Sequence, residues 1–348
     1  MRESLLELLV DPLSRGSLSL EVSAKSADEV LEGKLRSDDG HEYPISNGIP
    51  RLLMLDDAQQ KQVETSFGFK WRQRHSYESA SFLKKYHQWL REKYGFANDK
   101  QLQEFFCGKE RTLEVGCGGG LSGSISLSCG ERGQQWVGID ISPAIDIARE
   151  RLGHYPGAEF VQADIGRLPF KEQSFDAVFA EGVLHHTPAT DLALRSVVSM
   201  LRTGGEVLFY VYRKKGPIRE FTDDYIRSLI CDLEPQHAWD LLLPLTKLGQ
   251  SLANLRAEVE IEEDIPYLGI KAGRQDVQRL VYWNFAKLFW NDDYPFETNH
   301  HINFDWYHPR FAHRQSREDI ERWCADLRLS IAYMHEQDSG FTVRAIKN

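Results

Sequence analysis

The sequence predicts an α/β fold in which helices cover both faces of a doubly wound, mostly parallel sheet. Three short apolar segments, residues 112–115, 136–140 and 160–164, are predicted strands, and each has a carboxylate at or near its carboxyl end. Segments with helical patterns separate them, and such alternation favours parallel strands joined by crossover helices. Because open sheets of this kind bind ligands at the carboxyl ends of their strands, we expect a binding crevice there. The three carboxylates are Glu114, Asp140 and Asp164.

A run of glycines follows the first strand, with members at Gly116, Gly118, Gly120 and Gly123. Glycine adopts positive φ without strain and lets the backbone approach a ligand closely. The last three satisfy a G-x-G-x-x-G pattern, and Asp140 lies where a dinucleotide fold places its ribose-binding acid. Glu114 argues against NAD, because a dinucleotide fold usually has an apolar residue inside the first strand. A sheet that binds another nucleotide or none is the alternative, since a fold does not fix a function.

The elements beside this crevice carry start and stop signals. Ser142 as N-cap and Pro143 at the first helical position predict a helix through Arg151. A second helix is predicted over about 190–201, and a strand over 206–212 follows it after two glycines. These segments continue the alternation of strands and helices.

The end of the chain has equally clear signals. Ser316 begins a predicted helix with the acidic Asp319 at its third position, which is the pattern of a capping box. Residues 329–335 and 341–346 then predict an antiparallel hairpin. A helix followed by a hairpin would complete the sheet.

Residues 213–315 interrupt the core with a long segment rich in aromatic side chains. The stretch 276–290 has a helical pattern, and several histidines lie near the end of the segment. Unstructured connections of this length are uncommon in compact domains and are usually functional. We therefore predict a helical insertion that covers substrate or forms an oligomer interface.

The ordered motifs of residues 110–212 resemble those of the class I S-adenosylmethionine (SAM) dependent methyltransferases, in particular the type 11 group. The motifs are the segments 112–120, 136–140, 160–170, 174–179, 183–186 and 201–208. The resemblance implies a Rossmann-like, seven-stranded sheet with SAM as the cofactor. It also implies that a leading helical segment, residues 56–110, closes over the cofactor.

The resemblance assigns cofactor contacts to ten residues. They are Glu114, Gly116, Cys117, Gly118, Gly120, Asp140, Ile141, Asp164, Ile165 and Glu181. Glu114 would lie near the ammonium group of SAM, Asp140 would accept both ribose hydroxyls, and Asp164 would accept from the adenine amine. Ile141 would pack against adenine, and Cys117 is interpreted as a small packing residue in the glycine loop.

Two histidines, His185 and His186, follow the fourth predicted strand of the core. Methyl transfer needs a general base only when the nucleophile must lose a proton, and either histidine could supply it. Local packing is the alternative for both. Six further residues are predicted to contact the substrate: Trp71, Tyr212, Tyr282, His300, His301 and Tyr307. A cluster of His300, His301, Asp305 and His308 could suit a metal or an ordered turn, and we predict no metal.

The first 55 residues form a separate piece. Its stretches 5–13 and 43–53 resemble the small zinc-ribbon domain called Trm112-like. That ribbon's first knuckle normally reads C-P-x-C, whereas residues 11–14 of this chain read D-P-L-S. No cysteine precedes Cys107, so a thiolate zinc site cannot form. We predict a metal-free remnant that packs on the catalytic domain, and an unrelated β-hairpin cap is the alternative.

Composition limits the classes of function. The net charge of −10 and the isoelectric point of about 5.7 argue against a partner such as duplex nucleic acid. The N-terminus is acidic and broken by charges, unlike a signal peptide, and no apolar run approaches the roughly 20 residues of a membrane span. The five cysteines contain no C-x-x-C pair. We therefore expect a reduced, cytoplasmic protein that does not contact a membrane.

These observations lead to a division of the chain and a functional hypothesis. The predicted segments are 1–55 for the ribbon, 56–110 for the helical cap, 111–212 for the SAM-binding core, 213–315 for the insertion and 316–348 for the end of the core. The leading hypothesis is methyl transfer to an oxygen, nitrogen or sulfur atom, including a thiol or sulfide, of a small molecule enclosed by aromatic side chains. The alternatives are methylation of tRNA or protein, and a non-catalytic SAM-fold partner of another subunit. The sequence leaves open whether the protein forms a homo-oligomer.

Overall fold

A computed structural model describes residues 1–53, 57–73, 80–128 and 134–348, with the backbone alone for 80–82. Within these ranges the strands are β1 (Leu18–Ser26), β2 (Glu29–Ser37), β3 (Glu42–Ser46), β4 (Ile49–Leu52), β5 (Arg111–Val115), β6 (Gln135–Asp140), β7 (Ala158–Ala163), β8 (Phe175–Ala180), β9 (Leu201–Arg213), β10 (Glu258–Ile261), β11 (Gly273–Asp276), β12 (Arg314–Gln315), β13 (Leu329–Glu336) and β14 (Gly340–Lys347). The helices are α1 (Glu3–Leu6), α2 (Ala58–Arg72), α3 (Ala80–Lys93), α4 (Asp99–Cys107), α5 (Gly123–Leu127), α6 (Ala144–Leu152), α7 (Thr190–Ser199), α8 (Pro217–Ile230), α9 (Pro235–Asn254), α10 (Val277–Asn284), α11 (Phe296–Tyr307) and α12 (Arg317–Asp326). The predicted boundary between residues 55 and 56, and Cys129, lie outside the described residues.

The centre of the molecule is one large mixed sheet. Seven strands follow the order β7-β6-β5-β8-β9-β14-β13, in which the first five run parallel and the last two complete an antiparallel edge. This order confirms the predicted doubly wound α/β fold. The complete sheet has 12 described strands, because β1 to β4 extend one side and β12 pairs with β9.

The parallel strands have nearly continuous buried faces, which explains why their sequences are apolar runs. Four of the five residues of β5 and five of the six residues of β6 are buried. Helices cover both faces of a parallel sheet, so its strands do not alternate between apolar and polar residues. Because β5, β6, β7 and β8 run parallel, their carboxyl ends meet at one edge of the sheet, and short polar turns follow them.

The N-terminal ribbon is continuous with this sheet. Its last strand pairs in parallel with β7 through Leu52 and Ala163, and one hydrophobic core contains Leu9, Tyr43 and Phe170 together. The prediction that this piece packs on the core is confirmed. Its relation to the Trm112-like domain stays a prediction.

A polar network surrounds Asp11 in the N-terminal piece. The fully buried Asp11 accepts hydrogen bonds from Leu13 N (2.8 Å), Ser14 Oγ (3.2 Å), His41 Nδ1 (2.7 Å) and Tyr43 Oη (2.9 Å). Burial opposes ionisation, but these donors outweigh it and hold the pKa of Asp11 well below its usual range. A carboxylate with four donors thus joins residues 11–14 to His41 and Tyr43.

The sequence predicted the capped start of α12 correctly, but it predicted the helix of the insertion less accurately. The predicted capping box of α12 is confirmed, because Ser316 and Asp319 exchange both hydrogen bonds. The predicted helix over 276–290 is too long, since α10 ends at Asn284. The backbone amides of Lys287 and Phe289 donate instead to Asp223 Oδ1 (3.0 Å) and Asn303 Oδ1 (2.7 Å) of other helices.

Cysteine pairing departs from the expectation. Cys107 is disulfide-bonded, whereas Cys117, Cys231 and Cys324 are free and buried. The expectation of a chain without disulfides is therefore wrong, because a disulfide requires proximity in space and not a C-x-x-C spacing. Across the described ranges, no helix combines the length and apolar character that membrane crossing requires.

Candidate active site

Two adjoining cavities lie at the carboxyl ends of the parallel strands. The first cavity extends over β6 and β7 and contains Asp140, Ile141, Asp164 and Ile165 in its wall. The second cavity extends from β5 toward the insertion. Both cavities share five wall residues: Lys70, Trp71, Gly116, Glu181 and Gly182. Ligands bound in the two cavities would therefore meet at the wall that these five residues form.

The glycine loop after β5 forms the turn between these cavities. Gly116, Gly118 and Gly120 have φ angles of 65°, 53° and 75°. A Cβ atom on Gly118 would lie 2.3 Å from the ring of Trp71. Gly118 and Gly120 line neither cavity and shape the turn through positive φ and close packing, while their contact with the cofactor stays a prediction.

Asp140 closes β6 and is almost completely buried. Its Oδ2 accepts from Gly118 N (2.9 Å), and its Oδ1 accepts from Ser142 N (2.9 Å) and Ser142 Oγ (2.6 Å). Burial raises the pKa of Asp140, and these three donors oppose that rise. A carboxylate offers about four acceptor positions, so one remains for a ligand hydroxyl while the Ser142 hydroxyl keeps its present partner.

Asp164 lies one strand further along the same edge. Its Oδ1 accepts from Gly166 N (2.9 Å), and its Oδ2 accepts from Gln60 Nε2 (2.9 Å) of helix α2. Ile141 and Ile165 are neighbouring wall residues of the first cavity. This part of the wall is therefore an apolar slot with a carboxylate at each of two strand ends.

Glu114 faces the second cavity from inside β5. Its carboxylate accepts from Ser122 Oγ and from Trp136 Nε1 (3.0 Å). Burial raises the pKa of Glu114 to about 7, although both donors act to lower it. Cys117 also lines this cavity, and burial raises the pKa of its thiol, which is consistent with packing and not with nucleophilic chemistry.

Glu181 stands where the two cavities meet, and its partners were not predicted. It forms an ion pair with the buried Lys93 of α3 and accepts from Tyr94 Oη (2.6 Å). The Lys93 ammonium also lies 3.2 Å from the centre of the Tyr210 ring. Burial lowers the pKa of Lys93 to about 8. A lysine in an otherwise amphipathic helix gave no signal for this position.

Helix α2 contributes one face to the first cavity. Gln60, Val63, Phe67, Lys70 and Trp71 all line it, and their spacing of three and four residues is the spacing of one helical face. Only Trp71 was predicted among them. The periodic signal was present in the sequence and could have identified the other four.

The two predicted catalytic histidines have different positions. His186 lines the first cavity, and its Nδ1 lies 2.6 Å from the carbonyl oxygen of Phe311. Because a carbonyl only accepts, Nδ1 carries the proton and Nε2 keeps its lone pair. Burial lowers the pKa of His186 to about 4. His185 lines neither cavity and instead stacks on Tyr212, with ring centres 3.7 Å apart.

Of the six predicted substrate residues, Trp71 and Tyr212 line the second cavity and the other four line neither. His300 interacts with Thr246 Oγ1 (2.8 Å) and Trp239 O (3.0 Å), and Tyr307 Oη donates to Asp223 (2.8 Å). Tyr282 and His301 are buried inside the insertion. These four predicted residues therefore belong to the packed core of the insertion. Other residues of the insertion line the second cavity.

The proposed histidine cluster does not assemble. His308 interacts with Ser66 Oγ (2.8 Å), and Asp305 pairs with Lys70 (2.8 Å). Among the described residues, no group of three or more His, Cys, Asp or Glu side chains could hold a metal ion. The polar groups of His300, Asp305 and His308 instead interact with Thr246 of the insertion and with Lys70 and Ser66 of α2.

The residues around the first cavity suit SAM. A Cβ atom on Gly182, which has a φ of 70°, would meet no atom within 4 Å and would project into open space. The two strand-end carboxylates are acceptors for hydroxyl and amine groups, and the isoleucines are apolar surfaces for a base. Glu114 adds an acceptor for an ammonium group in the adjoining cavity.

Comparison with known proteins agrees with this geometry. Residues 113–209 match the methyltransferase domain family. The phthiotriol/phenolphthiotriol dimycocerosates methyltransferase of Mycobacterium leprae is 34% identical over 36% of this chain and 46% of its own length. The fatty-acid O-methyltransferase of Mycolicibacterium smegmatis is 38% identical over 32% of this chain and 40% of its own length.

A mouse protein named "Probable tRNA methyltransferase 9B" is 31% identical over 31% of this chain and 23% of its own length. The matched part of the chain thus spans less than half the length of these relatives. Residues 113–209 of this α/β fold therefore correspond to a methyltransferase domain, and the cofactor of this domain is SAM.

Proposed function

We propose that this protein transfers the methyl group of SAM to a small-molecule acceptor bound in the second cavity. The observation that carries the proposal is the shared wall of Gly116, Glu181 and Gly182, which joins the cofactor crevice to a second, partly open cavity. A reaction between two ligands requires that their reacting atoms meet, and two cavities with one common wall satisfy this requirement.

SAM supplies an electrophilic methyl group on a sulfonium, which is already a good leaving group. The work of the chain is therefore mainly positioning. Asp140 and Asp164 hold polar groups at two strand ends, and the isoleucine slot between them orients a planar base. Glu114 attracts an ammonium group at the other end of the shared wall.

The second cavity has the character of a small-molecule site. Its wall includes the aromatic side chains of Trp89, Tyr210, Tyr212 and Tyr294. Pockets for small ligands are mostly apolar with a few polar groups, and aromatic walls exclude water from the acceptor. The acidic net charge of −10 also favours a small acceptor over a nucleic acid.

His186 is the proposed base for acceptors that must lose a proton, and because it lines the first cavity, the reacting atom of the acceptor must extend past the shared wall to reach it. Its Nε2 lone pair is available because Nδ1 is bound to Phe311, and its low pKa keeps the ring neutral near pH 7. His185 is assigned to packing, because it lines neither cavity and instead packs against Tyr212, a wall residue of the second cavity.

The first test is the affinity for S-adenosylhomocysteine, measured by calorimetry in the wild type and in Asp140→Ala. We expect the variant to bind about tenfold to hundredfold more weakly, which is the range for the loss of a charged hydrogen bond. Asp176→Ala is the matched control, because Asp176 lies at the opposite end of the sheet and accepts from Arg111 N (2.8 Å). Equal affinities in wild type and Asp140→Ala would reject the cofactor assignment.

The acceptor class requires a second measurement. The protein would be incubated with methyl-labelled SAM and a cell extract separated into small-molecule, RNA and protein fractions. Label in the small-molecule fraction is the expected result. Label in RNA or protein would favour the alternative that the name of the mouse relative suggests.

A further inference from the structure

An unpaired cation lies in the wall of the second cavity. Lys287 is 9% exposed, and no hydrogen bond or ion pair joins its ammonium to any residue that the structure describes. Its position is fixed at both ends. The backbone amide donates to Asp223 Oδ1 (3.0 Å), and the ammonium lies 4.3 Å from the centre of the Trp306 ring. Among the described residues, the side chain therefore lies beside the cavity with no hydrogen bond or ion pair to its ammonium.

The other buried lysines beside this cavity are neutralised. Lys70 pairs with Asp305 (2.8 Å), and Lys93 pairs with Glu181. Lys85 is exposed at the rim, where water solvates it. Lys287 thus provides the one buried positive charge that these described pairs leave uncompensated.

An uncompensated buried charge is unfavourable, so its presence requires an explanation. Burial lowers the pKa of Lys287 to about 7, and the nearby Arg219 lowers it further, while Asp305 and Asp223 act in the opposite direction. An anion bound in the cavity would restore the charged form and supply the missing partner.

We propose that the methyl acceptor carries a carboxylate that pairs with Lys287, while Tyr210, Tyr212 and Tyr294 contact its apolar part. This inference rests on the proposed function and specifies its substrate class. A phosphate fits less well, because phosphate sites usually combine an arginine fork or several backbone amides. No arginine lines the cavity among the described residues.

The test uses protein saturated with S-adenosylhomocysteine and three pairs of matched ligands. The pairs are benzoate and benzamide, phenylacetate and phenylacetamide, and hexanoate and hexanamide. Each acid has nearly the shape of its amide but carries one negative charge. We expect at least one acid to bind about tenfold or more tightly than its amide, as a charged hydrogen bond implies. In Lys287→Met this ratio should fall to about one.

Lys215→Met is the matched control. Lys215 is a half-buried lysine of the insertion, but its Nζ donates to the carbonyl of Asp338 and it does not line the cavity. This variant should keep the wild-type preference for acids. Lys287→Gln serves as a second variant, and thermal unfolding shows whether each protein is folded.

Two outcomes overturn the inference. One is that no acid binds more tightly than its amide, and the other is that Lys287→Met keeps the preference. The affinity for S-adenosylhomocysteine is measured first in every protein. If the wild type does not bind it, the proposed function fails, whereas binding without a preference for acids rejects only the carboxylate assignment.

Discussion

The two cavities share a wall but are built in different ways. The first cavity depends on strand ends, in which Asp140 and Asp164 each follow a buried strand in a short stretch of chain. The second cavity combines Trp89 of α3 and Tyr210 of β9 with Lys287 of the insertion. The comparison teaches that local order along the chain can fix a cofactor crevice, whereas an acceptor site requires distant segments to pack together.

The charged side chains of the two cavities also differ in whether their partners are near or distant along the chain. The acids of the first cavity are held by nearby donors, such as Ser142 N and Gly166 N, each two residues further along. The cations of the second cavity are held across long separations, as in the pairing of Lys70 with Asp305. Substitutions at the charged residues of one cavity should therefore change ligand binding there and leave binding in the other cavity unchanged.

The largest effect is expected from Asp223→Ala. Asp223 is buried and accepts from Arg219 Nε (2.5 Å), Lys287 N (3.0 Å), Trp306 Nε1 (2.8 Å) and Tyr307 Oη (2.8 Å). Its removal leaves a buried arginine unpaired, so the free energy of unfolding should fall by about 3 to 5 kcal/mol in chemical denaturation. The preference of the second cavity for acids should also be lost.

Asp240→Ala provides the control for Asp223→Ala. Asp240 is exposed in the same insertion and accepts only from Gln236 among the described residues (3.0 Å). It should change the free energy of unfolding by about 0.5 kcal/mol or less. If both variants unfold alike, Asp223 does not organise the second cavity.

A smaller effect, at the wall that the two cavities share, is expected from Gly118→Ala. The new Cβ would lie 2.3 Å from the Trp71 ring at a φ of 53°, so the loop or α2 must move. Overpacking of this kind costs about 1 to 3 kcal/mol, which predicts about tenfold to hundredfold weaker binding of S-adenosylhomocysteine in calorimetry.

The control for this variant is Gly204→Ala. Gly204 has a φ of 78°, but a Cβ atom added there would meet no other atom within 4 Å. It should lose about 1 kcal/mol of stability through backbone strain and retain wild-type affinity. Equal loss of affinity in both variants would mean that strain, and not contact with Trp71, is the cause.

The smallest effect concerns pH at the boundary of the two cavities. Burial raises the pKa of Glu114 to about 7, so its carboxylate is mostly protonated at pH 6 and mostly ionised at pH 8. Only the ionised form attracts an ammonium group, so the affinity for S-adenosylhomocysteine should rise by about tenfold over this interval. Calorimetry at several pH values measures the change.

Glu114→Gln removes the titrating group and should give an affinity that is flat between pH 6 and 8. The glutamine side chain keeps similar size and can still accept from Trp136. A wild-type profile that is already flat would contradict the assignment of Glu114 to the ammonium group.

The fold was largely predictable because its signals are local. The apolar run of β6 and its terminal Asp140 identify a buried parallel strand, and Ser316 with Asp319 identifies the start of α12. Interactions of this kind join residues that are close in sequence, so their pattern is visible in the chain. The relation between the ribbon and the sheet was predicted only as packing, and the pairing of β4 with β7 was not foreseen.

The acceptor site was less predictable because its signals are not local. His300 and His301 were selected for their chemistry, yet the structure buries them within the insertion. Lys287 was not selected, because one lysine among the apolar and aromatic residues 285–290 does not reveal by itself whether its ammonium has a partner. Its significance depends on Asp223, which is 64 positions away, and on the absence of a charged partner among the described residues.

The sequence by itself determined the α/β sheet, the glycine turn and the carboxylates at the strand ends, since each depends on neighbours along the chain. The tertiary structure alone decided which side chains of α2, α3 and the insertion enclose the second cavity. It also decided that, within the described part of the chain, Lys93 is paired whereas Lys287 is not. The physical reason is that burial and charge pairing depend on distances in space, and packing between distant segments sets those distances.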